Sequence, residues 1–450
     1  MKDTLIPQMR FEARDIFNRA IEAVDPFEAV RRFVHVKGDR LYLGTGNKFD
    51  AGLDLNDFDR ISLVGAGKAT APMAKAVEVL LGGKIYRGII NVKYGFTDKV
   101  GFTEVLEAGH PVPDQKGVEG TKEILAFLED RDERDLVFSL ISGGGSALLP
   151  QPAAGITLAD KQSLTRSLLA CGASIDEINA VRKHISLSKG GQMARAAFPA
   201  AVVNLMLSDV VGDRMDVIAS GPFVPDPSTF GDVLRIFQKY GLQEIPPEIQ
   251  RHIHEGAAGH IPETPKAGDP IFDRVFNIVV GSNMLALEAA KERAEFLGYA
   301  TLILSSMIEG ETREVAGVHS AMAKEVLKTG RPLPAPACII SGGETTVTLR
   351  GNGLGGRNQE FCLAAALDLV DLPPRVVILS GGTDGNDGPT DAAGGLVDPG
   401  TVIRGREAEM EALRFLQNND AYHFLEKTDD LLVTGPTKTN VMDVRLVLVR

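Results

Sequence analysis

Three apolar, strand-like runs in this chain end in the same Ser-Gly-Gly turn: LVFSLISGGGSA at Ser142, ACIISGGETT at Ser341 and VVILSGGTDGNDGPTDAAGG at Ser380. Glycine lacks a Cβ, so the main chain at such a turn can bring bare N–H groups close to an anion. In open α/β sheets, ligands bind beyond the carboxyl ends of the strands, where a following helix adds the positive end of its dipole. The repetition points to a polyanionic ligand held by several loops. Any single turn of this kind could carry glycine for geometry alone.

The runs are continuously apolar, as expected where helices cover both faces of a parallel sheet. From Arg60 the order is strand (RISLV), glycine turn, helix from about Ala71 to Leu81, strand (GIINVKYG), helix to about Glu129, strand (LVFSLI). This βαβαβ succession predicts an α/β fold whose N-terminal part is a doubly wound, Rossmann-like parallel sheet. At 450 residues the chain exceeds the size at which single cores stop growing, so two domains are expected. The stretch from Gly241 to Pro270 is polar and rich in Pro and Gly, which marks a boundary. The expected division is an N-terminal domain at 1–245, a linker at 246–270 and a second α/β domain at 271–450. VFNIVVGSN, ATLILSS, ACIISGGE, RVVILSGG and LLVTGP supply the second domain's strands, and the final run VRLVLV could join either sheet. The active site is expected in the cleft between the domains.

A net charge of −12 argues against a nucleic-acid surface, which draws on a field of Lys and Arg. The absence of tryptophan removes the best stacking platform for single strands. Cys171, Cys338 and Cys362 lack metal-ligand spacing and are too few for a disulfide framework, so a reducing cytoplasm is the expected setting. No run of about 18 apolar residues suggests a membrane span. The sequence leaves oligomeric state open, with a homodimer the assembly to test.

Gly65-x-Gly67-Lys68 invites two familiar readings, and the residues fit neither. A Walker A loop needs a glycine where Ser62 stands, and a dinucleotide site needs an acid where the second strand ends in Lys93-Tyr94-Gly95. Lys68 at a helix start is poorly placed against the dipole, so a phosphate contact explains it better than solvation. Arg357, behind Gly351–Gly356, would sit in the first turn of another helix and could grip a transferring phosphoryl group; otherwise it is a surface arginine.

The expected nucleotide and phosphate contacts are Gly65, Gly67, Ser142, Gly143, Gly144, Gly145, Ser146, Gly342, Gly343, Gly355 and Gly356. Arg182 and Lys189 lie in a cation-rich stretch suited to a substrate carboxylate, and Asn358 and Glu344 flank the other loops as further substrate contacts. Asp384, Asp387 and Asp391 gather three carboxylates in one loop without EF-hand spacing, so Mg2+ shared with nucleotide phosphates fits better than Ca2+. At least one of the three is expected to bond loop backbone instead. Asp209 and Asp213, at the end of the strand Ala201–Leu207, are candidates for general base and metal ligand. His110 and His184 could titrate usefully, but a histidine beside prolines is more often structural.

Taken in order, VGAGKA, AGHPVPD, SGGGSALL, GASIDEINAVRKHIS, SKGGQMA, LSDVVGDRMDVIASGP, SGGETTV, GNGLGGRNQE, GGTDGNDGPTDAAGG and TGPTKTNVMD strongly resemble the glycerate 2-kinase family, whose second domain carries the MOFRL motif. The likeness runs from about Asp15 to Val449. It implies transfer of a phosphoryl group from ATP, with Mg2+, to the 2-hydroxyl of D-glycerate. It also implies that Lys68 and Arg357 are central to catalysis, while the base stays open between Asp209 and an acid of the second domain, Asp384, Asp387 or Asp391.

Overall fold

The computed structural model describes residues 4–45 and 48–450. They form two compact units, Pro26–Val280 and, as the other, Gly281–Arg450 with Met1–Asp25. The sheet of the first unit has the strand order Thr103–Ala108, Ile85–Lys93, Arg60–Ala66, Asp135–Ile141, Ala201–Leu207, Val275–Gly281. Neighbours among the first five are parallel. Numbered along the chain, this order is 3-2-1-4-5-6. The winding direction reverses between Arg60–Ala66 and Asp135–Ile141, and a ligand crevice forms at such a reversal. Both strands are buried almost throughout, with Val64, Ala66, Val137 and Ile141 in one core, which accounts for their unbroken apolar character.

A three-stranded antiparallel meander, Val34–Lys37, Arg40–Thr45 and Lys48–Asp54, precedes this sheet. Its charged, short strands carry no strong apolar signal. A second core in the same unit gathers Leu164, Leu168, Val181, Phe230, Val233, Ile249 and Ile253 from four helices.

The sheet of the other unit is mixed. Its order is Ala300–Ile308, Ala337–Gly343, Asp443–Val449, Val376–Gly382, Gly394–Val397, Leu431–Leu432. The final run VRLVLV is a central strand here, antiparallel to both neighbours. Asp443, at its start, therefore faces Gly343 and Gly382, the last residues of the flanking strands.

The expected domain boundaries differ from the observed division in three places. The N-terminal helix Leu5–Ala23 belongs with the second unit, because its apolar face needs a partner there: Phe17 packs on Gly381. Around it Arg10 bonds Asp398 at 2.6 Å and Asp430 at 2.7 Å, and Glu12 bonds Arg450 at 2.9 Å. The run Val275–Gly281 completes the first sheet instead of opening the second. The expected linker contains the helix Pro247–Ala257, whose Ile249 and Ile253 are fully buried; the prolines that suggested a linker mark that helix's start.

Phe17→Ala should therefore cost about 3 kcal/mol or more, as a large core truncation does. Hydrogen exchange should speed up in Val376–Gly382 and Asp443–Val449 while Asp135–Ile141 keeps its protection.

Candidate active site

At the sheet reversal, two strand ends are locked together through backbone. The Lys68 N–H donates to the Gly143 carbonyl at 2.9 Å, and the Ser142 N–H to the Ala66 carbonyl at 3.2 Å. The Ser142 hydroxyl accepts the Ala69 N–H at 3.0 Å and meets Thr70 Oγ1 at 3.3 Å. So close an approach requires glycine at position 67, where φ is +148° and a Cβ would lie 2.0 Å from Ser142 Oγ. Gly65 and Gly145 serve the same contact, pressed on the carbonyls of Leu140 and Ala66. Ser142, Gly65, Gly67 and Gly145 thus shape the turn.

The N–H groups of Gly143 and Gly144 are different: among the described residues neither has an acceptor. Lys68 joins them, since its ammonium makes no hydrogen bond or ion pair with any described residue. Two bare N–H groups and an unpaired cation at a sheet reversal form an anion-binding arrangement.

Asp209 packs on Gly143, where a Cβ would come within 2.4 Å of Oδ2. Burial pushes its carboxyl above the usual range while the Lys68 charge opposes the shift. Such a carboxylate is a better proton acceptor than an exposed one. Burial also raises Asp213, whose Oδ1 is buried and has no partner among the described residues. His110 lies against Gly144. Burial, reinforced by Lys68 and Lys93, lowers its pKa to about 4.

Beside this turn a cavity of about 490 Å³ is lined by His110, Gly144, Ser146, Arg182 and Lys189 among others. Near the Lys189 loop, Ala219 and Ser220, inside the LSDVVGDRMDVIASGP stretch, have φ of +50° and +62°, a conformation costly for residues with a Cβ. Backbone bonds tie this segment to the Lys189 loop, from Gly190 N–H to Ser220 O at 2.9 Å and from Gly191 N–H to Gly221 O at 2.8 Å. Ser146 Oγ meets Ser220 Oγ at 3.0 Å. His184 lies elsewhere, with Nε2 3.1 Å from Glu263, in a structural role.

In the second unit the organising group is Asp443, fully buried. It receives Arg357 through two bonds, Nε at 2.8 Å and Nη2 at 2.9 Å, together with Arg445 Nη2 at 3.0 Å and Asn358 Nδ2 at 2.9 Å. Glu344 takes Arg357 Nη1 at 2.8 Å. Burial alone would weaken the Arg357 charge, but Asp443 and Glu344 drive its pKa above the ordinary guanidinium value. Arg357 is thus a fixed cation. The loop before it is fixed too: the N–H groups of Arg350 and Gly351 bond Asn419 Oδ1 at 2.7 and 3.0 Å, and Leu354 N–H bonds Asp420 at 2.9 Å.

Several expected contacts here are occupied by the fold itself. Asp387 accepts the N–H groups of Asn358 at 3.1 Å and Gln359 at 2.8 Å, capping the helix Arg357–Leu369, and packs on Gly356. Burial pushes its pKa up to about 7. Asp384 bonds the Asn386 N–H at 3.1 Å, an Asx turn, and Asp391 accepts from Tyr422 at 2.8 Å. These three do not assemble a metal site, and no cluster of three or more metal-ligating side chains occurs among the described residues. Asn358 spends its amide on Asp443 and on Ser380, at 2.6 Å. Gly342 and Gly343 lie within the strand ladder. Gly355 and Gly356 keep N–H groups without acceptors among the described residues, next to Arg357. Asp443 itself, the last residue of the TNVMD stretch, was the signal the sequence offered and the site reasoning passed over.

Glycine loops and an unpaired lysine at the reversal of a parallel sheet, and a fixed arginine at a second glycine-rich helix start, define an α/β protein that handles phosphorylated ligands. Residues 12–254 match a family described as a domain of unknown function, DUF4147, and residues 337–443 match the MOFRL family. The D-glycerate 2-kinase of Thermotoga maritima is 42% identical over 438 residues, 97% of each chain. The glycerate 2-kinase of Pyrococcus horikoshii is 40% identical over 96% of each. The crystal structure of the Thermotoga maritima glycerate kinase superposes with a TM-score of 0.88 at 41% identity, covering 99% of this chain and 100% of that one. The chain belongs to the glycerate 2-kinase family.

Two outcomes follow from this geometry. Asp443→Asn leaves the buried Arg445 and the partly exposed Arg357 without their shared charge and should cost about 3 kcal/mol or more, read as a lower denaturation midpoint. His110 binds its proton less readily folded than unfolded, because its pKa falls from 6.5 to about 4. The stability this contributes is complete above pH 6.5 and is lost as pH falls toward 4. His110→Asn should flatten that part of the stability–pH curve.

Proposed function

We propose that this protein transfers the γ-phosphoryl group of ATP to the 2-hydroxyl of D-glycerate, giving 2-phosphoglycerate and ADP. Similarity to D-glycerate 2-kinases over nearly the full chain supports the reaction. The observation that carries the chemistry is the unpaired Lys68 beside the free N–H groups of Gly143 and Gly144. Phosphoryl transfer needs positioning and charge stabilisation more than covalent catalysis, and fixed donors at a dry turn supply both.

In this reading Lys68 and the Gly143–Gly144 N–H groups receive phosphate oxygens. The acceptor oxygen bonds to the γ-phosphorus as the bond to the leaving ADP oxygen breaks. Asp209, its proton affinity raised by burial, takes the hydroxyl proton. Arg357, held by Asp443 and Glu344, offsets charge on the transferring group. Gly355 and Gly356 add N–H donors beside it.

Mg2+ enters this reading on ATP, since the protein offers isolated carboxylates instead of a cage. Asp213, with its buried Oδ1 unpartnered among the described residues, fits an ion carried mainly by phosphates. Bound there, the ion would neutralise charge on the triphosphate. No described helix is long and apolar enough to cross a membrane, and the three cysteines are unpaired; a cytoplasmic enzyme is the setting proposed. A homodimer is the assembly to look for by sedimentation.

Incubation with MgATP and D-glycerate should yield a 2-phosphoglycerate signal in 31P NMR. Lys68→Ala should lower kcat by roughly a hundredfold to a thousandfold, the usual cost of losing one preorganised charge donor. A 3-phosphoglycerate product, or unaltered turnover in the variant, would overturn the regiochemistry or the lysine's role respectively.

A further inference from the structure

The cavity beside the glycine turn holds a charge imbalance. Lys161 and Lys189 line it and are only 7% and 2% exposed, and Arg182 lines it as well. Neither lysine meets a carboxylate among the described residues. Lys161 Nζ donates to the Pro150 carbonyl at 2.9 Å and to Ser186 Oγ at 2.5 Å, and Lys189 Nζ donates to the Ser146 carbonyl at 2.6 Å. Arg182 makes no hydrogen bond or ion pair with any described residue. No Asp or Glu appears among the residues lining the cavity. Buried cations are ordinarily paired, because desolvation costs several kcal/mol per ion.

The imbalance is visible in the groups themselves. Burial, then repulsion from Arg182, lowers the Lys161 pKa to about 7, and burial followed by Lys161 and Arg182 lowers that of Lys189 as well. An anion entering the pocket would favour the protonated forms of Lys161 and Lys189, beside Arg182 and Arg166, which also line it. Elsewhere in this unit a buried lysine is treated differently: Lys183 is paired with both Asp216 and Asp226, at 3.3 and 3.2 Å. The missing counter-charge at Lys161 and Lys189 is thus a property of this cavity.

We infer that this cavity binds the carboxylate of the hydroxy-acid substrate, with Lys161 as a ligand-binding residue beside Arg182 and Lys189, and that it admits acids longer than three carbons. The inference rests on the acceptor being a hydroxy acid, as proposed above. About 490 Å³ is far more than a three-carbon acid fills and falls in the range of pockets for larger ligands. Ser146 and Thr165 on the lining provide hydroxyl partners for a longer polyol chain.

Isothermal titration of the full chain with D-glycerate, a six-carbon aldonate, glycerol and MgATP tests this directly. The wild type should bind both acids and not the uncharged glycerol. Lys161→Gln should weaken both acids at least tenfold while MgATP affinity stays within twofold. A fall in MgATP affinity with acid binding unchanged would make this the nucleotide pocket, and no change in either would leave Lys161 structural; both overturn the inference. Should the variant fail to fold, the wild type alone decides, because an aldonate that does not bind, or that competes with ATP instead of glycerate, also overturns it. Failure of the kinase reading is distinguished by acid binding that persists without any phosphorylated product in 31P NMR.

Discussion

A charge removed from water must meet an opposite charge or fixed dipoles, or else lose its proton. The second unit satisfies this internally. Asp443 sits between the ends of two glycine-terminated strands and gathers Arg357, Arg445 and Asn358. The antiparallel strand that delivers it explains why Arg357 is held in one place and why the helix behind it begins where it does. Asp387 adds the cap that orients the same helix.

In the first unit the same requirement is left open. Lys68, Lys161, Arg182 and Lys189 have no carboxylate partners among the described residues, and the Gly143 and Gly144 N–H groups have no acceptors. Backbone carbonyls of Pro150 and Ser146 hold Lys161 and Lys189 in place. A fold that keeps such groups unpaired has stored part of the binding energy for an anionic ligand, since the donors need no rearrangement when it arrives.

The contrast also separates two kinds of glycine that look alike in the sequence. Gly143 and Gly144 keep N–H donors without acceptors among the described residues, whereas Gly65, Gly67 and Gly342 allow protein to touch protein. The acidic loop makes the same point. Asp384, Asp387 and Asp391 read as one cluster along the chain, but each bonds a different neighbour, because a turn of glycines and a proline sends successive side chains in different directions.

What the sequence determined by itself was local: the βαβ succession from Arg60, the glycine turns at the strand ends, and Lys68 and Arg357 at helix starts. These are legible because apolar runs, turn residues and helix starts act over a few positions. Tertiary structure decided the rest. It placed the first helix with the last 170 residues, put VRLVLV in the middle of a sheet, and made Asp443 the partner of an arginine 86 positions away. It also brought Lys161 near Lys189 and left both without an acid among the described residues. Pairing across such separations depends on which apolar faces bury one another and which charges are desolvated together, and no short stretch of sequence carries that information.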